Sequence, residues 1–187
     1  MDSTRSHEAL LTMKLLALSG SLRRNSYNSA ALVALTRLAP SNLEITIGDI
    51  GSLPLFNPDI ENNDIAAVQQ LKSQLAQASG LIIASPEYAH GISGPMKNAL
   101  DWLVSGVEFP YKPVMLINTS PRASHALNAL IEVVTTMSGD IIDSASVTIP
   151  LLSSELDADG IVENREISAV LSNGLKEFCQ KIEASIP

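Results

Sequence analysis

Three short stretches of this chain are apolar without interruption: Leu15-Leu16-Ala17-Leu18, Leu81-Ile82-Ile83-Ala84 and Val114-Met115-Leu116-Ile117. Each is too short for a buried helix and runs straight into a polar, Gly- or Pro-containing loop, so each reads as a β-strand covered on both faces. Strands of that kind occur in parallel sheets sandwiched between helices, which makes the intervening segments crossover helices. The intervening periodicity agrees. A helix is predicted from about Tyr27 to Ala39, stopped by Pro40, and a second from about Asp64 to Ala78 with Ile65, Val68, Leu71 and Leu75 inward. Pro95 starts a third, carrying Met96, Ala99, Leu100 and Leu103 on one face. A fourth spans about Arg122 to Met137 with Gly139 as its cap, and a fifth carries Ile167, Val170, Leu171, Leu175, Phe178 and Ile182.

Two further strand signals, Leu43 to Ile47 and Ala145 to Ile149, alternate apolar with polar residues, as strands with one wetter face do. They belong at the sheet edges, and the three apolar runs at its centre. With right-handed crossovers, that assignment gives an α/β three-layer sandwich: a five-stranded parallel sheet in the flavodoxin-like order 2-1-3-4-5, with helices on both faces. The loops after strands one, three and four then meet at one rim, where ligands bind open α/β sheets.

No linker, charge block or repeat divides the 187 residues, so residues 13–187 are expected to form one domain, preceded by a mobile tail of residues 1–12. The tail has no signal-peptide pattern. With 45% hydrophobic residues the chain is globular, and a net charge of −8 opposes binding to a nucleic-acid backbone. No apolar run approaches the roughly 20 residues of a membrane helix. One cysteine, Cys179, and no Cys/His cluster of ligand spacing give no disulfide and no metal site, and point to a reducing, cytoplasmic setting.

Two loops carry the chemistry. Gly20 to Asn28 combines a glycine, the hydroxyls of Ser21 and Ser26, the Asn28 amide and Arg23 ahead of a helix N-terminus. Free N–H groups, hydroxyls and a guanidinium there make a phosphate cradle or, equally, an ordinary capping loop. It is neither the Walker loop nor the dinucleotide Gly-x-Gly-x-x-Gly. In Ser85 to Gly94, Glu87 and His90 are an acid/base candidate pair without a nucleophile, and an exposed carboxylate and imidazole are the simpler roles. Tyr88 suits stacking on a flat ring. His125 and Cys179 read as structural.

Taken together, Gly20-Ser21-Leu22-Arg23-x-x-Ser26-x-Asn28, Pro86-Glu87-Tyr88 and Lys97-Asn98-Ala99-Leu100-Asp101-Trp102 resemble the NADPH-dependent FMN reductase family of flavodoxin-like flavoproteins. That family includes reductases of quinones, azo dyes and chromate. The resemblance covers about Met13 to Pro150 and includes Leu53 to Asp59. It implies an FMN cofactor whose phosphate is held by the first loop, through Ser21, Arg23, Ser26 and Asn28, with Leu22 and Tyr27 also cofactor-binding. Pro86, Glu87, Tyr88, Ala89, His90 and Gly91 would lie along the flavin ring, and Ser120 would close the other side. The chain departs from the family at Ala89, where many members have Asn, and at Ser120 to His125, where many have a Gly-Gly turn.

The implied activity is an NAD(P)H-dependent reductase, with NADPH or NADH as donor and a quinone, azo compound, chromate or free flavin as small-molecule acceptor. The flavin carries the chemistry, so no catalytic side chain is assigned. An FMN-binding electron carrier without pyridine-nucleotide activity is the alternative, and a phosphate-ester hydrolase lacks a nucleophile. A homodimer or homotetramer is expected, because Trp102 falls off the apolar stripe of its helix and would stay partly exposed in a monomer. The competing possibility packs Trp102 beneath the chain's own Val107 to Tyr111 segment.

Overall fold

A computed structural model of the chain describes residues 12–122 and 124–185, so the predicted tail lies, apart from Thr12, outside the described residues. The chain runs β1 (Met13–Ser19), α1 (Tyr27–Leu38), β2 (Leu43–Gly48), α2 (Ala66–Gln77), β3 (Gly80–Ala84), β4 (Glu87–Tyr88), β5 (Gly91–Ile92), α3 (Gly94–Leu103), β6 (Pro113–Asn118), α4 (Ser124–Thr136), β7 (Asp140–Ile141), β8 (Val147–Thr148), α5 (Ala158–Glu163) and α6 (Arg165–Ser185). The large sheet is parallel in the order β2-β1-β3-β6-β7, with β8 also on β6. It is the flavodoxin-like α/β arrangement, with the three apolar runs at its centre.

Period-two alternation splits each central strand between two cores. Leu16 and Leu18, Leu81 and Ile83, and Val114 and Leu116 face α2, α3 and α4. Leu15 and Ala17, Ile82 and Ala84, and Met115 and Ile117 face α1, α5 and α6. Because both faces are buried, neither set can be polar, which is why these strands read as continuous runs.

The expected fifth strand is not one strand. β7 pairs Asp140 and Ile141 with Pro113 and Val114, and β8 pairs Val147 and Thr148 with Ile117 and Asn118. Between them the chain turns at Ile142 to Ser146, and the Leu116 N–H donates instead to Ser146 Oγ at 3.1 Å. A broken edge of this kind gives no long template for pairing with another chain.

Helix ends also differ from the sequence reading. Gly139 does not adopt the left-handed conformation at the end of α4; Ser138 does, at φ 62°. The Ser138 N–H donates to Thr135 O and the Gly139 N–H to Val134 O, the two bonds of a Schellman cap. Gly139 is needed for a different reason: a Cβ there would meet Val134 Cγ1 at 2.7 Å and Phe109 Cε1 at 2.9 Å. Pro95 lies inside the first turn of α3, whose cap is the Ser93 hydroxyl accepting from Met96 N–H. A short helix, α5, capped by Asp157, precedes the last one.

Trp102 corrects the expectation of an exposed interface ring, since it is 0% exposed within its own chain. Phe109, from the segment the competing possibility named, is buried in the same core as Trp102. The Leu53 to Pro58 loop folds over α3, where Trp102 Nε1 donates to Pro54 O at 2.8 Å and Phe56 meets the indole edge-on at 5.1 Å. Asn98 locks the same loop, donating to Pro54 O and accepting from Phe56 N–H. The position of Trp102 off the apolar stripe of α3 does not expose it, because a loop distant in sequence covers that flank. Among the described residues, no helix is long and apolar enough to cross a membrane. Trp102→Ala should cost about 3 to 5 kcal/mol of stability in urea unfolding, the scale of a buried aromatic truncation; a loss under about 1 kcal/mol would show that the loop does not hold the ring.

Candidate functional site

The loops after β1, β3 and β6 meet because specific bonds tie them together. The Gly20 N–H donates to Ala84 O at 2.8 Å, carrying the β1–β3 pairing one residue past the strand. Ser93 Oγ, fully buried, donates to Gly20 O at 2.6 Å. A Cβ on residue 20 would lie 2.5 Å from Ser85 Oγ and 2.8 Å from Ser93 Oγ, so only glycine permits this approach. The third loop joins through buried Thr119, whose Oγ1 donates to Asn28 Oδ1 at 3.1 Å. It joins the second loop through the Ala126 N–H, which donates to Glu87 Oε2 at 2.9 Å.

In the first loop, Ser21, Ser26 and Asn28 are buried, whereas Leu22 and Arg23 are exposed. Ser21 Oγ accepts from Arg23 N–H and Ser26 Oγ from Ser29 N–H, each at 3.4 Å. Half-buried Tyr27 accepts from Glu155 N–H through its hydroxyl at 3.2 Å. Among the described residues no acceptor meets the N–H groups of Ser26, Tyr27 and Asn28, which leaves orphan donors at the positive end of α1. The loop therefore caps its helix while leaving several N–H groups without an acceptor, so capping does not use up its donors.

The second loop is a tight β-hairpin, a feature the sequence reading missed. β4 and β5 pair antiparallel across a two-residue turn in which Ala89 (φ 49°) and His90 (φ 61°) are both left-handed. Such turns favour Asn and Gly, so neither residue advertised it. Pro86, Glu87 and Gly91 are half-buried, while Tyr88, Ala89 and His90 are exposed. Glu87 is engaged as an acceptor at the N-terminus of α4, with its other oxygen 3.8 Å from His90 Nδ1. The His90 ring in turn meets His125 edge-on at 4.4 Å.

In the third loop, the half-buried Ser120 donates its N–H to Asn118 Oδ1 at 3.1 Å. Ser120, Pro121 and Arg122 face Pro150, Leu152 and Ser153 across a cleft of 350 Å³. Ser93 and Thr119 tie the loops together yet escaped the sequence reading, because single hydroxyls outside any motif carry no signal. Cys179 sits on α6, away from these loops; burial, with a contribution from Glu183, pushes its thiol up to about 11. It is thus no nucleophile at neutral pH. Among the described residues no cluster of three His, Cys, Asp or Glu side chains could hold a metal ion.

A family model described as NADPH-dependent FMN reductase matches residues 13–151. An NAD(P)H-dependent FMN reductase of Pseudomonas aeruginosa is 39% identical over 111 residues, which is 58% of this chain and 60% of that protein. A 2-hydroxy-1,4-benzoquinone reductase from a Burkholderia species is 41% identical over 92 residues, 49% of this chain and 50% of its own length. The chain thus spans from about half to three fifths of the length of these curated relatives. Among solved structures, the flavoenzyme NAD(P)H:(acceptor) oxidoreductase FerB from Paracoccus denitrificans superposes with a TM-score of 0.80 at 24% identity, covering 92% of this chain and 98% of that one. That likeness bears on the fold alone.

The strained turn gives a direct test. Ala89→Gly should stabilise the protein by about 1 kcal/mol, because a left-handed alanine costs roughly 1 to 2 kcal/mol and glycine returns part of the gain as chain entropy. Calorimetry should show a melting temperature about 2 to 4 °C higher, and a fall would contradict the turn geometry.

Proposed function

The chain belongs to the NADPH-dependent FMN reductase family, and from that membership and its converging loops we propose that it is an NAD(P)H-dependent, FMN-containing reductase of a small electron acceptor. The observation that carries this reading is the cradle ahead of α1, where unpaired N–H groups at a helix N-terminus adjoin buried hydroxyls and an exposed guanidinium. That donor set fits a phosphate monoester. When bound, FMN supplies the redox chemistry between NADPH or NADH and a quinone, azo compound, chromate or free flavin.

The chain's own residues bind and orient. Ser21, Leu22, Arg23, Ser26, Tyr27 and Asn28 hold the phosphate end, Pro86 to Gly91 line the ring, and Ser120 bounds the opposite side. No side chain is assigned as acid or base, and the Glu87 carboxylate already serves α4. Support for a quinone acceptor comes from relatives named 2-hydroxy-1,4-benzoquinone reductase and, in Escherichia coli, quinone reductase, the latter 34% identical over 113 residues. A cytoplasmic setting fits the lone, unreactive Cys179.

A homodimer or homotetramer belongs to the same reading, although Trp102 no longer argues for it. Its support is the exposure of Leu55 (83%), in the loop after β2 that folds over α3, and of Val107 (90%) and Tyr111 (84%), in the loop after α3.

Two measurements test these statements. Arg23→Ala should weaken FMN by about 10- to 100-fold while changing riboflavin binding little, as expected for lost bonds to a charged phosphate; equal losses for the two ligands would refute the cradle assignment. Light scattering at micromolar concentration should give at least twice the 19.9 kDa chain mass, and Val107→Glu should lower it. A wild-type mass of one chain would end the oligomer proposal.

A further inference from the structure

A second cleft, of 610 Å³, opens beside the cradle, between the first turns of α1 and the loop that leads into α5. Its floor is apolar, made of Ala30 and Val33 from α1 and Ala158 from α5, and the Tyr27 ring lines it. Arg23 and Arg24 stand on one side, Glu155 and Asp157 on the other. Among the described residues these opposite charges do not close on each other, although Arg37 and Asp159, on the same two helices, do pair.

Two contacts fix the α5 side of the cleft. Glu155 N–H is tied to the Tyr27 hydroxyl, and one Asp157 oxygen accepts from Gly160 N–H as the cap of α5. The loop is also strained, with Ser153 (φ 64°) and Glu155 (φ 57°) both left-handed without being glycine. Strain of this sort persists where the surroundings fix it, and it gathers at ligand clamps.

The contents of the cleft specify a ligand. Guanidinium groups call for an anion, carboxylates for hydroxyl donors, and an apolar floor beside an aromatic ring for a flat base. A nucleoside phosphate presents all three, and the volume lies within the roughly 300 to 1,000 Å³ of small-molecule sites. We propose that this cleft seats the adenosine phosphate end of the dinucleotide donor, with Arg24 on phosphate and Glu155 on the ribose hydroxyls. The inference rests on the reductase reading, since Arg23, Ser26 and Tyr27 serve both the cleft and the cradle that would hold FMN.

Titration calorimetry of the FMN-saturated protein with adenosine 5′-diphosphate tests it. One nucleotide should bind per chain without releasing FMN, and should compete with NADH in steady-state turnover. Arg24→Ala should weaken it about tenfold and Glu155→Gln about threefold, in keeping with one lost charged and one lost neutral contact. Absence of binding up to millimolar nucleotide, release of FMN by the nucleotide, or affinity indifferent to both substitutions would overturn the assignment. A chain that keeps FMN and oxidises NADH yet ignores the nucleotide overturns the cleft alone. A chain that binds the nucleotide in the cleft but never FMN overturns the proposed function instead.

Discussion

The site depends on how closely the end of β1 can approach the start of α3. Gly20 donates to Ala84 and accepts from Ser93, and the absence of a side chain is what admits both contacts. The Ser93 hydroxyl is used twice, since it also accepts from Met96 N–H as the cap of α3. One buried hydroxyl thus fixes where the first loop leaves the sheet and where the helix after the second loop begins. A bond of this kind is expensive to leave unmade in a buried position, because the orphaned carbonyl would keep its full desolvation cost. The first two loops are consequently registered against one another by the framework rather than by a ligand.

The third loop is registered differently, through side chains reaching across gaps. Thr119 meets Asn28 and Glu87 meets the first turn of α4. Both contacts join a residue expected to bind the cofactor to a residue expected to do nothing. A carboxylate at a helix N-terminus is favoured by the dipole and satisfies an orphan N–H. Glu87 therefore holds the hairpin against α4, and this anchorage helps to explain how Ala89 and His90 stay in conformations they do not prefer.

Most of the fold was legible because it follows from burial. A strand covered on both faces must be apolar throughout, so β1, β3 and β6 declared themselves, and the alternating β2 fell at one edge as expected. What failed to show follows from contacts made by atoms that leave no pattern. The break between β7 and β8 rests on one serine hydroxyl substituting for a ladder partner, and the β4–β5 turn rests on two residues with no preference for it. Trp102 was misplaced because its cover is a Pro-containing loop whose carbonyl takes the indole N–H. The first loop was readable as a choice between capping and binding, and the geometry adds that capping uses only some of its N–H groups and leaves others without an acceptor among the described residues.

The same distinction bears on what the loops can do chemically. A site whose reaction is carried by a bound group needs donors, flat surfaces and exclusion of competing contacts more than it needs a tuned acid or base. The polar side chains of the first loop are either buried, as Ser21, Ser26 and Asn28 are, or exposed at the surface, as Arg23 is. The carboxylate of the second loop is spent on α4, and the only cysteine is held as a thiol on a remote helix. The exposed imidazole of the second loop, His90, lies beside that same carboxylate and the His125 ring. That division of labour suits the family to which the chain belongs and leaves orientation as the protein's own contribution.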